Sequence, residues 1–125
     1  MDGFTIRNGF ANKGGGIRID EVSPIIQNCI ISDNNTTNDG GGVYIYKGSP
    51  RILNCIISGN TIERNGAGIY FKGSEYSFYI ENVTFSDNII TGKGGGIYLR
   101  NSDGLTVRQT IFDKNSSGKG GGVFF

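Results

Sequence analysis

The chain has 125 residues, enough for one compact domain, and its 22 glycines stand beside only two prolines, no tryptophan and no histidine. Glycine does not recur at every third position, which excludes collagen, and the evenly spread isoleucine, phenylalanine and tyrosine exclude a disordered chain. The formal net charge is only +1 with both signs interspersed, so we expect no binding to nucleic acid and no attraction to anionic membranes.

The sequence carries no signal for a membrane span, a metal or a cofactor. No stretch approaches the roughly 20 apolar residues that cross a bilayer, so we expect no membrane insertion. The opening Met1–Gly3 does not read as a signal peptide, and we expect the chain to be a mature fragment or part of a longer protein. Cys29 and Cys55 lie in the equivalent strings QNCIIS and LNCIIS without CxxC spacing. We therefore predict two free thiols packed in the core.

A glycine-rich motif recurs along the chain at intervals of 26, 26, 28 and 26 residues. It reads GGGIRI, GGGVYI, GAGIYF, GGGIYL and GGGVFF, and a second motif, ISDN, ISGN, FSDN and FDKN, keeps the same period. A period in the twenties without a leucine-rich pattern indicates a β-solenoid, and the glycine runs oppose helix. We interpret the chain as one domain, residues 1–125, with repeats at 14–39, 40–65, 66–93 and 94–119 and partial coils at 1–13 and 120–125.

Each full repeat predicts one coil of three short strands, so the chain should form about four coils. The chain opens at Phe4 and Ile6 inside the third strand of an earlier coil. In the second repeat, we expect strands at 41–46, 50–52 and 55–58. Because the coils stack in register about 4.8 Å apart, like residues lie above like.

Alternation within each strand decides which residues face the core. The predicted core columns are Ile17, Val43, Ile69, Ile97 and Val123; Ile19, Ile45, Phe71, Leu99 and Phe125; Ile26, Ile52, Ile80 and Val107; Cys29, Cys55, Val83 and Thr110; and Ile31, Ile57, Phe85 and Phe112.

Asparagine and glycine mark the predicted bends. Asparagine tolerates the left-handed conformation, and its amide can bond to an identical amide one coil away. Two asparagine ladders are expected, one of Asn28, Asn54 and Asn82, with Gln109 as a variant, and one of Asn34, Asn60, Asn88 and Asn115. The two extra residues of the third repeat should enlarge the turn at 73–77.

The combination of GGG[IV] with [IF]xxN resembles the right-handed parallel β-helix repeats of bacterial secreted and surface proteins, within the pectin-lyase-like superfamily. It is also similar to the GGA[ILV] and FxxN repeats of chlamydial polymorphic outer-membrane proteins. The resemblance covers nearly the whole chain and implies an all-β, single-stranded right-handed parallel β-helix at an extracellular or cell-surface location. Such proteins are adhesins, autotransporter passengers or polysaccharide-active enzymes, so the fold leaves the function open.

The outward face of the first strands carries the candidate ligand-binding residues. They are Tyr44, Tyr46, Tyr70, Lys72, Tyr98 and Arg100. Their rings could stack on sugars or peptide side chains while the cations hold acidic groups. Equally, the rings could stack on one another and stabilise the sheet. Asp20 is the only carboxylate at these outward positions, which is too few for the pair that glycosidases use, so we predict no catalytic residue.

Two further surfaces predict contacts with partners. The outward stripe Ile30, Ile56 and Ile111 is apolar, which indicates either cover by a partner or ordinary β-branched propensity. The chain stops at Phe124 and Phe125 without a polar cap, which predicts head-to-tail self-association or stacking on coils of a parent chain. The sequence favours a non-catalytic extracellular structural or adhesive module that contacts a glycan or a surface protein, with end-to-end stacking into fibres as a further expectation. The alternative is a carbohydrate-binding or polysaccharide-processing module.

Overall fold

A computed structural model describes residues 1–125, apart from the side chain of Asp103, and folds them into a parallel β-solenoid. No helix occurs in this described part, hence none long and apolar enough to cross a membrane. The strands of the described residues are, in chain order, β1 (Thr5–Arg7), β2 (Phe10–Lys13), β3 (Ile17–Asp20), β4 (Ile25–Gln27), β5 (Ile30–Ser32), β6 (Asn35–Asp39), β7 (Val43–Tyr46), β8 (Arg51–Leu53), β9 (Ile56–Ser58), β10 (Thr61–Ile62), β11 (Ile69–Glu81), β12 (Thr84–Ser86), β13 (Ile89–Ile90), β14 (Ile97–Arg108), β15 (Ile111–Asp113) and β16 (Val123–Phe124).

Three stacks of parallel strands correspond to the three predicted strands of each coil. The first stack runs β3, β7, β11, β14 and β16, and the third runs β1, β5, β9, β12 and β15. The second consists of β4, β8 and the later parts of β11 and β14. The register follows the repeat, since Ile69 pairs with Val43 on one side and Ile97 on the other. The solenoid has about five turns rather than four, because the partial coils at both ends add strands to these stacks.

A fourth, shorter stack of β13, β10, β6 and β2 lies between the third strand and the glycine run, where we had expected a turn. The polar string NTTND of β6 gives no strand signal by itself. It is extended because it pairs in parallel with both neighbouring coils. Residues of this stack are also buried. Ile62 of β10 and Ile90 of β13 form a small second core together with Ala67 of the adjacent glycine turn.

The main core contains the predicted columns in its central coils. Val43, Ile45, Ile57 and Phe85 are fully buried, as alternation predicts. The columns fail only at the last coil, where Val107 and Phe125 are 41% and 91% exposed. Phe125 was therefore wrongly assigned to the core, because no residue packs over it at the end of the stack.

The third and fourth coils join their first two strands without a break, so β11 and β14 are 13 and 12 residues long. The two extra residues appear as a bulge with register shifts between Lys72 and Ser77. Just after the bulge, Phe78 is buried in the core, where its ring stacks on Phe71 with the centroids 5.4 Å apart. Phe78 lies two residues before Ile80 and so shares its inward side, although it was not among the predicted core columns.

Candidate functional site

The inner asparagine ladder, Asn34, Asn60, Asn88 and Asn115, lies at the bend between the third and fourth stacks. The first three side chains are at most 1% exposed. The Asn60 amide oxygen accepts from the backbone nitrogen and the side-chain nitrogen of Asn34, both at 3.1 Å. Its nitrogen donates to Asn88 Oδ1 at 2.9 Å and to the Ile31 carbonyl at 3.1 Å. Each amide therefore satisfies polar groups of its own coil and of both neighbours.

The outer asparagine ladder, Asn28, Asn54 and Asn82, lies at the exposed bend between the second and third strands. All three residues adopt left-handed φ angles of 52° to 54°. Asn82 donates to Asn54 at 2.9 Å, and Asn28 donates to the Asp2 carboxylate at 2.8 Å. Hydrogen bonds from Gln27 and then Asn28 hold the pKa of Asp2 below its usual range. The ladder thus ends on a carboxylate.

The aromatic column, Tyr44, Tyr70, Tyr98 and Phe124, runs along the outward face of the first stack. Successive ring centroids lie 5.3, 5.4 and 5.5 Å apart. Tyr44 and Tyr70 are only 5% and 2% exposed, and burial raises the pKa of both phenols. The glycine turns lie close beside the column, since a Cβ on Gly94 would sit 2.7 Å from that of Tyr98.

Burial of Tyr44 and Tyr70 leaves little of the column exposed to a ligand, which one interpretation of the sequence had expected it to bind. Both faces of the Tyr70 ring contact a neighbouring ring, and the Arg100 guanidinium lies near its hydroxyl. Tyr98 is half-buried between Tyr70 and Phe124. Four of the six candidate ligand-binding residues are thus engaged in or beside this stack. The remaining two, Tyr46 and Lys72, lie elsewhere.

Tyr46 and Lys72 meet in a surface notch beside the bulge of the third coil. The notch has a volume of about 300 Å³ and is lined by Tyr46, Lys47, Lys72, Gly73, Ser74, Glu75, Tyr76 and Asn101. Its wall is close-packed at Gly73, where a Cβ would lie 3.2 Å from Lys47 Cα. The sequence interpretation missed Lys47, Tyr76 and Asn101. The 28-residue spacing was the signal that pointed to this corner.

Two lysines place their ammonium groups near one ring of the notch. Lys47 Nζ lies 5.1 Å and Lys72 Nζ 5.6 Å from the centroid of Tyr46. Lys47 also forms an exposed ion pair with Glu21 at 2.9 Å, and this hydrogen bond raises the pKa of Lys47. The notch therefore combines cations, phenols and an amide in a space large enough for one small ring.

Two other surfaces, an apolar stripe and a groove on the fourth stack, are less suited to binding a ligand. The predicted stripe is exposed, with Ile30, Ile56 and Ile111 at 42%, 44% and 59%. A groove of about 320 Å³ crosses the fourth stack between Phe10 and Thr91. Thr36 Oγ1, which is buried there, has no hydrogen-bond partner. Neither surface brings charged groups together, so the notch is the stronger candidate.

No group of three or more histidine, cysteine, aspartate or glutamate side chains that could hold a metal occurs among the described residues. Cys29 and Cys55 are free and buried, stacked one above the other, with the Cys29 backbone nitrogen donating to the Cys55 sulfur at 3.5 Å. Burial raises the pKa of the Cys55 thiol, which keeps it protonated at neutral pH. These thiols are therefore core residues.

The family model described as "Right handed beta helix region" matches residues 2–125. No curated protein and no solved structure matches the chain.

Proposed function

Given that the chain belongs to the right-handed β-helix region family, we propose that it is a non-catalytic module acting outside the cell as a structural rod or adhesive surface. The observation that carries this proposal is the aromatic column. Tyr70 is 2% exposed and lies between two stacked rings, so the side chains of this face hold one coil to the next. Such stacking contributes about 0.5 to 1.5 kcal/mol per pair beyond area burial. The face is thus built for cohesion along the rod.

The charges beside the column support the non-catalytic part of the proposal. Asp20 is held by Arg18 at 2.5 Å, and Glu21 is held by Lys47. Glycoside hydrolysis uses two carboxyl groups that flank one bond and have separate acid and base roles. Because Asp20 and Glu21 each pair with a neighbouring cation, they are better explained as members of surface ion pairs than as a catalytic acid and base.

A double substitution of the column separates cohesion from ligand binding. Tyr70→Ser with Tyr98→Ser should lower the free energy of unfolding by more than about 3 kcal/mol, since a buried aromatic ring is lost. Urea denaturation measures this, with Tyr79→Ser, a half-buried ring outside both the column and the notch, as the matched control. A variant that keeps its stability but loses glycan binding would sink the structural role. So would release of new sugar ends from a polysaccharide panel that includes polygalacturonate.

End-to-end stacking into fibres is part of the same proposal, and the exposed ends favour it. Phe4, Val107 and Phe125 are 58%, 41% and 91% exposed at the two end faces, where strand edges could pair with a second copy. Coils of a parent chain would cover these faces equally well. Light scattering over a concentration series, with electron microscopy of the same samples, should show rods one solenoid wide. A monomer at all concentrations would reject self-association.

A carbohydrate-binding module is the second candidate, favoured by the notch. A glycan or a surface protein would then be the partner. Binding through the notch requires no catalytic group, so it is compatible with an adhesive role. A polysaccharide-processing activity would require turnover in the assay above.

A further inference from the structure

We propose that the partner in end-to-end stacking is a second copy of this chain, docked head to tail in one register that two complementary pairs of charges select. The inference rests on the proposed function, because it takes end-to-end stacking as its premise. It adds which residues of the two end faces meet. The strand register and the charges at the two ends carry it.

The strand edges of the two end faces match. β1 and β3 lie at the outer edges of their stacks at one end of the solenoid, and β15 and β16 do so at the other. β3 belongs to the coil after β1, and β16 belongs to the coil after β15. A second copy can therefore place β1 beside β15 and β3 beside β16 at once, which extends both stacks in parallel. Each copy then advances the rod by five coil spacings, about 24 Å.

The outward column at the ends of the third strands carries opposite charges at its two ends. In register, it runs Arg7, Ser32, Ser58, Ser86 and Asp113. Head-to-tail docking places the Asp113 carboxylate of one copy beside the Arg7 guanidinium of the next. Within its own chain, Asp113 has only an exposed contact with Lys114 at 3.9 Å. The carboxylate therefore remains available to a second copy.

A column in the second stack repeats this arrangement with the signs reversed. It runs Asp2, Gln27, Leu53, Glu81 and Arg108. The same docking places Asp2 of one copy beside Arg108 of the other. Asp2 already accepts hydrogen bonds from Gln27 and Asn28, and a carboxylate can accept more. Neither Arg7 nor Arg108 has an ion pair within the described residues, so both guanidinium groups gain one on docking.

Aromatic and apolar residues of the end faces also meet in this register. Arg18 occupies the position of the aromatic column one coil before Tyr44, and its guanidinium carbon lies 5.8 Å from the Tyr44 ring centroid. Docking brings the same guanidinium to Phe124 of the other copy, where a second cation–π contact can form. Phe112 and Ile6 share one inward column and are only partly buried, so each would cover the other.

One contact opposes the docking. The column before the glycine runs begins at Lys13 and ends at Lys119, so the two ammonium groups meet across the interface. Two attractive pairs outweigh this single repulsion, and the repulsion supplies a test of its own. Lys119→Glu should tighten the association, because it turns the unfavourable contact into a third attractive pair.

Charge reversal tests the register, with sedimentation velocity over a concentration series at low ionic strength as the measurement. Asp113→Arg should raise the dissociation constant for self-association about tenfold or more, because Arg7 then faces a like charge. Combining Asp113→Arg with Arg7→Asp should recover most of the lost affinity, since the pair is restored with its signs exchanged. Added salt should weaken association of the parent chain.

The matched control is Glu63→Arg, which makes the same change of charge at an exposed position in the middle of the rod. Melting curves of the dilute variants should overlay that of the parent chain, and electron microscopy should show an axial repeat of about 24 Å. The register is wrong if Asp113→Arg associates like the parent chain, if Glu63→Arg weakens association equally, or if the double variant recovers nothing. In these three cases rods still form, so end-to-end stacking stands. A parent chain that stays monomeric rejects both proposals.

Discussion

The inner and outer asparagine ladders use the same residue at the same period, yet they differ in burial and in backbone conformation. Asn34, Asn60 and Asn88 are buried, whereas Asn54 and its ladder neighbours are exposed with φ near 53°. A buried amide is valuable for the polar groups that it satisfies, since each one left unpaired is costly. An exposed asparagine is valuable for the left-handed conformation it tolerates. A repeated residue therefore has no single meaning until its burial is known.

Asn60→Ala should have the largest effect of any substitution in the two ladders. The substitution removes the acceptor of the Asn34 backbone nitrogen and the side-chain donor to the Ile31 carbonyl and to Asn88 Oδ1, which keeps only the Asn60 backbone nitrogen as a donor on this side. We expect the free energy of unfolding to fall by about 3 to 5 kcal/mol, as several buried polar groups lose their hydrogen bonds. Equilibrium urea denaturation, with the slope checked for two-state behaviour, measures the change.

Asn54→Ala is the matched variant in the outer ladder. Its cost should be only about 1 kcal/mol, because it removes a left-handed-tolerant residue and hydrogen bonds already open to water. Asn54→Gly should recover most of that loss, since glycine adopts this conformation freely. Equal losses for Asn54→Ala and Asn60→Ala would contradict the distinction between the ladders.

Gly42→Ala probes the packing that holds the inner ladder in place. An added Cβ would lie 2.7 Å from the Gly68 carbonyl oxygen and 3.0 Å from Asn60 Nδ2. Overpacking of this kind costs about 2 kcal/mol, and we expect a matching loss in the denaturation midpoint. Gly104→Ala is the control, because its nearest contact would be at 3.4 Å from Ser77 Cβ. If both variants lost the same stability, close approach at Gly42 would not be the cause.

The smallest effect concerns the carboxylate at the end of the outer ladder. The pKa of Asp2 is lowered in the folded chain, so its contribution to stability is present above the unfolded pKa and is lost as pH falls through the folded value. NMR titration of the Asp2 carboxyl carbon should give a pKa below the usual range. Gln27→Ala should move that pKa up, and Asn28→Ala should move it up less. An unchanged pKa in Gln27→Ala would show that the hydrogen bond at 2.9 Å does not persist in solution.

Much of the fold follows from the period and the alternation. Val43, Ile45 and Ile69 could be placed in the core because the repeat has a fixed period. Once the inward residues of one strand are assigned, the equivalent residues of every other coil are assigned too. Phe78 was missed although it lies two residues before the inward Ile80, because its equivalent in the second repeat is Pro50, which gives no signal of a buried ring. β6 was missed because its polar string extends only when the neighbouring coils pair with it.

The site was harder to predict than the fold. Alternation correctly placed Tyr70 on the outward side of its strand, but it carries no information about what covers that side. The glycine turn and the adjacent rings bury Tyr70. Their positions beside this ring depend on how the chain turns between strands, which alternation within a strand does not show. Tyr46 and Lys72 were among the predicted ligand-binding residues. Tyr76 was not, because it lies in the bulge, whose conformation the regular repeat does not predict. Insertions deserve early scrutiny in repeat sequences for this reason.

The constant register also has a consequence for the gene. Away from the bulge, each coil pairs residue for residue with its neighbours, as β3 does with β7. In-frame recombination that duplicates or deletes one 26-residue unit would keep every new interface of the same kind and change the rod by about 4.8 Å. Rod length can then evolve in discrete increments while the notch stays a single-copy feature, so the number of coils and the number of notches can be inherited separately.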